Sequence, residues 1–292
     1  MKFGIQYLYW RKDLDCQNYI PYLEKAKAAG FDCLELGDYL VLEMPDKAVD
    51  ELAAAAIHND ILLTAGLDPP ADCSLTDDAA EVRQKGIAFY TKAFARLEKL
   101  GITTLGGNML NAPPRIPFHA YHEREWESGV QSMRHLGKQA AEHGVKLCIE
   151  VMNRFESHLI NTARQGRRFV DEVGLPNVKL LLDGFHMNIE ESSITNAILD
   201  AGSTLGHFHF VENHRGLPGT GRIPWDEVRD SMRHIGYDGL MVMEALVRPG
   251  GTLGDAVRIW RDLSGADNED ELDRNAKRSL EFARYLFDQG TL

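Results

Sequence analysis

Val145-Lys-Leu-Cys-Ile-Glu150, Val178-Lys-Leu-Leu-Leu-Asp183, Leu205-Gly-His-Phe-His209 and Leu240-Met-Val-Met-Glu244 are four short apolar runs, each closed by a residue able to bind a metal. Runs of this length mark parallel strands buried on both faces, where the side chain at the exit is the first to reach a ligand. Successive closing residues are 33, 26 and 35 positions apart, close to one strand plus one helix. Three carboxylates and an imidazole at the same end of neighbouring strands form a mixed oxygen and nitrogen set suited to a divalent cation. A lone acidic residue at a strand end is more often a helix cap or a partner of Arg or Lys. Four on successive strands are different, because crowded carboxylates oppose each other's ionisation unless a cation joins them.

The same pattern extends backwards. Strand-like runs occur at Phe3–Tyr7, Cys33–Gly37, Leu62–Leu67 and Thr103–Asn108, which brings the total to eight. Between them helical periodicity predicts helices at Tyr19–Ala29, Asp46–His58, Asp77–Leu100, Arg124–His143, Ala163–Val173, Ser192–Ala201 and Pro224–His234, with a last one at Glu269–Phe287. Gly30, Gly101, Gly144 and Gly236 each follow a helical segment, where a left-handed cap favours glycine. Asp46 after Pro45, Thr76-Asp77-Asp78 and Asn161-Thr162 carry N-cap chemistry. Strict alternation of strand and helix implies a parallel sheet with right-handed crossovers. Eight units point to an α/β fold of the (β/α)8 TIM barrel type, one domain over residues 1–292, with its chemistry at the C-terminal strand ends. An open doubly wound sheet competes less well, since no Gly-x-Gly-x-x-Gly turn follows the first strand. The longest irregular stretches, 67–76, 108–121, 215–222 and 247–254, all leave strands on the side expected to carry the site.

The chain has 292 residues, 44% hydrophobic and 26% charged, as in ordinary globular proteins. Its formal net charge of −12 argues against a polyanion binder, so no nucleic-acid partner is expected. No apolar stretch is long enough to span a bilayer, and the N-terminus shows no signal-peptide core. A cytoplasmic location is the expectation. Cys16, Cys33, Cys73 and Cys148 are scattered without a Cys-x-x-Cys pair, so they are expected reduced; Cys33 and Cys148 fall inside strand runs and are expected to pack in the core.

Further polar residues cluster beyond the same strand ends. Glu150 leads into Val-Met-Asn-Arg-Phe-Glu156, and Asp183 into Gly-Phe-His186. His186 could contact a substrate oxygen or simply bond backbone at a helix end. Arg215, in a Gly/Pro-rich loop, could clamp substrate hydroxyls or pair with Glu212. His207 shares a strand face with His209 and is read as interior or supporting rather than as a ligand.

Together, CIEVMNRFE around Glu150, LLDGFHMNIEE around Asp183, GHFHFVENHRGLPGTGRIPWDE around His209 and VMEALVRPGG around Glu244 resemble the ketose 3-epimerases. That family includes the D-tagatose and D-psicose (D-allulose) 3-epimerases, among the xylose-isomerase-like barrels. The opening GIQYLYW, the GFDCLEL turn and the late IWRDLSGA extend the resemblance over essentially the whole chain. The resemblance implies epimerisation of a free ketose at C3 through a cis-enediolate, of the D-allulose/D-fructose or D-tagatose/D-sorbose type. It implies a divalent metal, Mn²⁺ first with Co²⁺ or Mg²⁺ as alternatives, held by Glu150, Asp183, His209 and Glu244. Glu150 and Glu244 would also be the acid/base pair, and Glu156, His186 and Arg215 would contact the sugar. A homodimer or homotetramer is the family's expectation. An aldose–ketose or hydroxypyruvate-type isomerase, or a sugar dehydratase, could use the same metal group.

Several positions depart from the family pattern: Gln6 where an aromatic residue is frequent, Ala112 in a loop that lacks the usual Trp, and Gly184 in place of Thr. Phe210-Val211 replaces a smaller pair, and Ala245-Leu246 replaces Pro-Phe. These leave the ligands untouched and are expected to reshape the pocket, so the preferred ketose stays open.

Overall fold

A computed structural model of the chain describes residues 1–37, 39–111 and 119–288. The strands are β1 (Lys2–Gln6), β2 (Cys33–Leu36), β3 (Leu62–Gly66), β4 (Thr104–Gly107), β5 (Lys146–Glu150), β6 (Val178–Asp183), β7 (Leu205–His209) and β8 (Leu240–Met243). Each pairs in parallel with the next, and β8 returns to β1 to close a TIM barrel. Every strand falls within a residue of its expected bounds at each end.

Helices α1 (Ile20–Ala29), α2 (Asp46–His58), α3 (Ala80–Lys99), α4 (Glu123–Glu142) and α5 (Ala163–Val173) surround the first half. The second half adds α6 (Gly184–Glu190), α7 (Ile194–Ala201), α8 (Trp225–His234), α9 (Gly251–Ala256) and α10 (Glu269–Asp288). Gly30, Gly101, Gly144 and Gly236 adopt the left-handed conformation expected of them, with φ of 97°, 70°, 67° and 67°. Thr162 caps α5 in a reciprocal box with Gln165. Two expected caps differ. Asp46 is the first residue of α2 itself and pairs with Arg96 at 2.8 Å, while Pro45 holds the cap position. Asp77 turns the chain by accepting from the Ala79 N–H (2.9 Å), so α3 begins three residues later than the periodicity predicts.

Side chains alternate along each strand between the barrel interior and the helical layer. Phe3, Ile5, Leu34 and Leu36 are buried in the hydrophobic core. In the interior, strand register sets Gln6 beside Glu35 and Glu35 beside Thr64, a polar layer near the C-terminal end. Gly106 makes room within the barrel, since a Cβ there would lie 2.7 Å from Leu181 Cδ1. Helix α10 packs against α1 and α8, and Tyr9 donates its hydroxyl to the Leu272 carbonyl at 2.9 Å. All four cysteines are free and Cys33 and Cys148 pack in the core, as expected; Cys16 and Cys73 are buried as well. Among the described residues no helix is long and apolar enough to cross a membrane.

Candidate active site

Glu150, Asp183 and His209 are the last residues of β5, β6 and β7, and Glu244 is the first beyond β8. Barrel closure brings them together, with one ligand atom from each lying within 4.8 Å of the others. His209 Nδ1 stands 3.1 Å from Glu244 Oε2, 3.7 Å from Asp183 Oδ2 and 3.8 Å from Glu150 Oε1. Asp183 also caps α6, its Oδ1 accepting from the His186 N–H at 2.9 Å. Its Oδ2 stays buried without a hydrogen-bond partner, as does His209 Nδ1. Unpaired buried polar atoms are rare in native proteins. An oxygen and a ring nitrogen left without hydrogen bonds at one point, beside two more carboxylates, fit a divalent cation.

Left to their own charges, Glu150, Asp183 and His209 hold protons more tightly than usual, and Glu244 less. Burial, reinforced by Glu244, pushes the Glu150 carboxyl up to about 8. Burial, with Glu244 and Glu150 nearby, pushes Asp183 up to about 6. Burial would also raise Glu244, but the adjacent His209 outweighs it and draws Glu244 down. His209 is held well above the usual imidazole range, the carboxylates of Glu244 and Glu35 overcoming its burial.

Around this group lie the other expected residues. His186 Nδ1 faces the Asn153 side-chain amide at 2.7 Å and the Asn153 backbone N–H at 3.3 Å. Two donors on Nδ1 place the ring hydrogen on Nε2, assigned from this network. Nε2 is buried, lacks a hydrogen-bond partner and lies 3.4 Å from Glu150 Oε1. The backbone bond expected of His186 is present on Nδ1, while Nε2 faces the carboxylate of Glu150. Arg215 pairs with Glu156 through two N–H bonds, at 2.9 and 3.3 Å, and lies over the Phe185 ring at 4.7 Å. Its side chain does not pair with Glu212. That carboxylate instead accepts from Trp225 Nε1 (2.7 Å), the Gly219 N–H (2.9 Å) and the Ile223 N–H (3.2 Å), shaping the loop that carries Arg215. Arg215 sits at φ 67°, uncommon for a side chain of its size. Burial opposes ionisation of Glu156, yet Arg215 dominates and holds it down at about 2.

Sequence reasoning missed Glu35. It is fully buried, and its two oxygens lie 2.8 Å from His207 Nε2 and 2.9 Å from His209 Nε2. The available signal was a carboxylate in the middle of an otherwise apolar strand run. His207 lies in the barrel interior and outside the four-residue group, as expected. A further convergence of His119, His122 and Glu125 lies at the start of α4, where Glu125 accepts from the His122 N–H at 2.6 Å and caps the helix.

A cleft of about 750 Å³ opens over the group. Gln6 and Leu246 line it. Gly184, Phe210, Val211 and Ala245 are buried outside its lining, so these positions act on packing rather than on the wall. Phe210 packs against Trp225, with ring centroids 4.3 Å apart. Ala112 lies outside the described residues.

A closed parallel barrel with a carboxylate and histidine group at its C-terminal mouth defines a class, the xylose isomerase-like TIM barrels, whose family model matches residues 23–284. Within that class the chain belongs to the ketose 3-epimerase family. It is 43% identical over 289 residues to the D-psicose 3-epimerase of Ruminiclostridium cellulolyticum, covering 99% of this chain and 98% of that one. The D-psicose 3-epimerase of Agrobacterium fabrum is 40% identical over 98% of this chain and 99% of its own. A solved D-psicose 3-epimerase with D-tagatose, from Clostridium cellulolyticum H10, superposes with a TM-score of 0.95 at 43% identity, covering 98% of this chain and 99% of that one.

Proposed function

We propose that this protein epimerises a free ketose at C3, with Glu150 and Glu244 exchanging the C3 proton on opposite faces of the sugar. The observation that carries this reading is the convergence of two carboxylates from separate strands on one imidazole nitrogen, at 3.8 and 3.1 Å. Inverting a carbon next to a carbonyl requires removing its proton from one face and delivering a proton to the other, which two flanking carboxylates can do. Glu150, Asp183, His209 and Glu244 would hold a divalent ion, Mn²⁺ first and Co²⁺ or Mg²⁺ as alternatives. Such an ion supplies Lewis-acid stabilisation of the negative charge that develops as the proton leaves.

The remaining residues bind and orient. His186 offers its Nε2–H to a sugar oxygen. Glu156 fixes the Arg215 guanidinium, leaving its other N–H groups free to clamp hydroxyls at the cleft. Holding C3 between the two glutamates is the positioning contribution.

The names of the relatives support a hexulose substrate of the D-psicose/D-fructose or D-tagatose/D-sorbose type. An L-ribulose 3-epimerase of Mesorhizobium japonicum, 31% identical over 91% of this chain, keeps pentuloses in the test. Four free buried cysteines suit a reducing, cytoplasmic compartment. A homodimer or homotetramer is carried over from the family alone. The experiment is a conversion screen: Mn²⁺-loaded protein with each ketose singly, products separated by chromatography. Accumulation of the C3 epimer supports the reading; an aldose or a dehydrated product overturns it.

A further inference from the structure

We propose that Glu35 is a positioning residue for the metal-binding group, orienting His209 directly and Glu244 through Gln6. The proposal rests on the reading of Glu150, Asp183, His209 and Glu244 as a divalent-metal site.

Glu35 lies on β2, across the barrel from β7, and is fully buried. One oxygen meets His207 Nε2 at 2.8 Å and accepts from the Thr64 hydroxyl at 3.0 Å. The other meets His209 Nε2 at 2.9 Å and the Gln6 amide nitrogen at 3.4 Å. The interior of such barrels is ordinarily filled by Val, Ile and Leu, so packing alone gives no reason for a charged layer. An ionised carboxylate only accepts hydrogen bonds, so His209 Nε2 must carry a hydrogen. The lone pair of Nδ1 is then directed at Asp183, Glu150 and Glu244. Fixing the distal nitrogen of a metal-binding imidazole with a carboxylate sets its tautomer and ring orientation.

Gln6 extends the same hold to a second strand end. Its amide nitrogen, a donor only, also bonds Glu244 Oε1 at 2.9 Å, while Glu244 Oε2 faces His209. Gly37 leaves the room this needs, because a Cβ there would lie 3.1 Å from Gln6 Cδ and 2.9 Å from Leu8 Cδ1. A residue with no contact to the cleft thus orients two of the four ligands.

The test is calorimetric titration of Mn²⁺ into metal-free wild type, Glu35→Gln, Glu35→Asp and Gln6→Met, each first checked for folding by circular dichroism. Glu35→Gln is expected to weaken Mn²⁺ binding about 10–100-fold, because its amide can accept from only one imidazole. Glu35→Asp keeps the charge but is one methylene short, and is expected to fall between. Gln6→Met is expected to lower kcat at saturating Mn²⁺ with KM unchanged, a split that loss of packing alone does not produce. Folded Glu35→Gln with wild-type Mn²⁺ affinity overturns the proposal. Should that variant not fold, wild-type affinity in Glu35→Asp or wild-type kcat in Gln6→Met overturns it. A wild-type protein that binds no Mn²⁺ overturns the metal reading itself, and this proposal with it.

Discussion

Nδ1 of His209 lies 3.1 Å from Oε2 of Glu244, with the carboxylates of Asp183 and Glu150 at 3.7 and 3.8 Å. Such an arrangement needs either protons or a cation at its centre, and the two compete. Burial and neighbouring charge raise Glu150 to about 8 and Asp183 to about 6, both above their unfolded values. A carboxyl raised in this way stabilises the fold below its unfolded pKa and loses that contribution as pH climbs through the folded value. The metal-free protein is therefore expected to lose stability between about pH 5 and about pH 8. A Mn²⁺ ion bound at this group would displace those protons, so its affinity should rise over the same window. The check is the Tm gain on adding Mn²⁺, which should grow with pH; a gain independent of pH would contradict the account.

Glu150→Gln and Glu244→Gln each keep shape and remove a proton carrier. Either should lower kcat by at least about 10²–10⁴-fold, more than any loop substitution, measured at saturating Mn²⁺ and ketose. Near-wild-type turnover in either variant would remove the two-glutamate mechanism.

Arg215 makes two N–H bonds to Glu156 and rests on the Phe185 ring. A lysine there is a point charge without the planar fork. Arg215→Lys is expected to reduce kcat/KM about 10–100-fold, the worth of one or two charged hydrogen bonds, while the Mn²⁺ dissociation constant stays put. Steady-state kinetics beside a metal titration separates the two.

Gly184 has its own packing reason. A Cβ at this position would lie 2.4 Å from the Val211 carbonyl oxygen, which is backbone and cannot swing away. Gly184→Thr should cost about 1–3 kcal/mol in denaturant unfolding. Wild-type stability would show that the β7 exit relaxes freely.

The barrel was legible because strands buried on both faces write themselves as unbroken apolar runs, and the Glu150, Asp183, His209 and Glu244 group was legible because each of its members stands at the end of one. Less was visible where one residue does two jobs. Asp183 is strand end and cap of α6 at once, so that short helix begins with no separating loop to announce it. Helix α9, only six residues long, has no apolar period to detect. Glu35 was missed because its partners, His207 and His209, lie more than 170 positions away, and only closure of the barrel brings them together. Sequence spacing leaves Glu212 open as one of two uses for Arg215. Its carboxylate instead receives the Trp225 indole and two loop N–H groups, contacts set by how the loop folds.

Hydrogen exchange at the substrate itself separates epimerisation at C3 from isomerisation between C1 and C2. Mn²⁺-loaded protein is incubated with a single ketose in D₂O, and product and label position are read by NMR. Proton exchange by Glu150 and Glu244 gives the C3 epimer with deuterium at C3. Deuterium at C1 or C2 with an aldose product would contradict it.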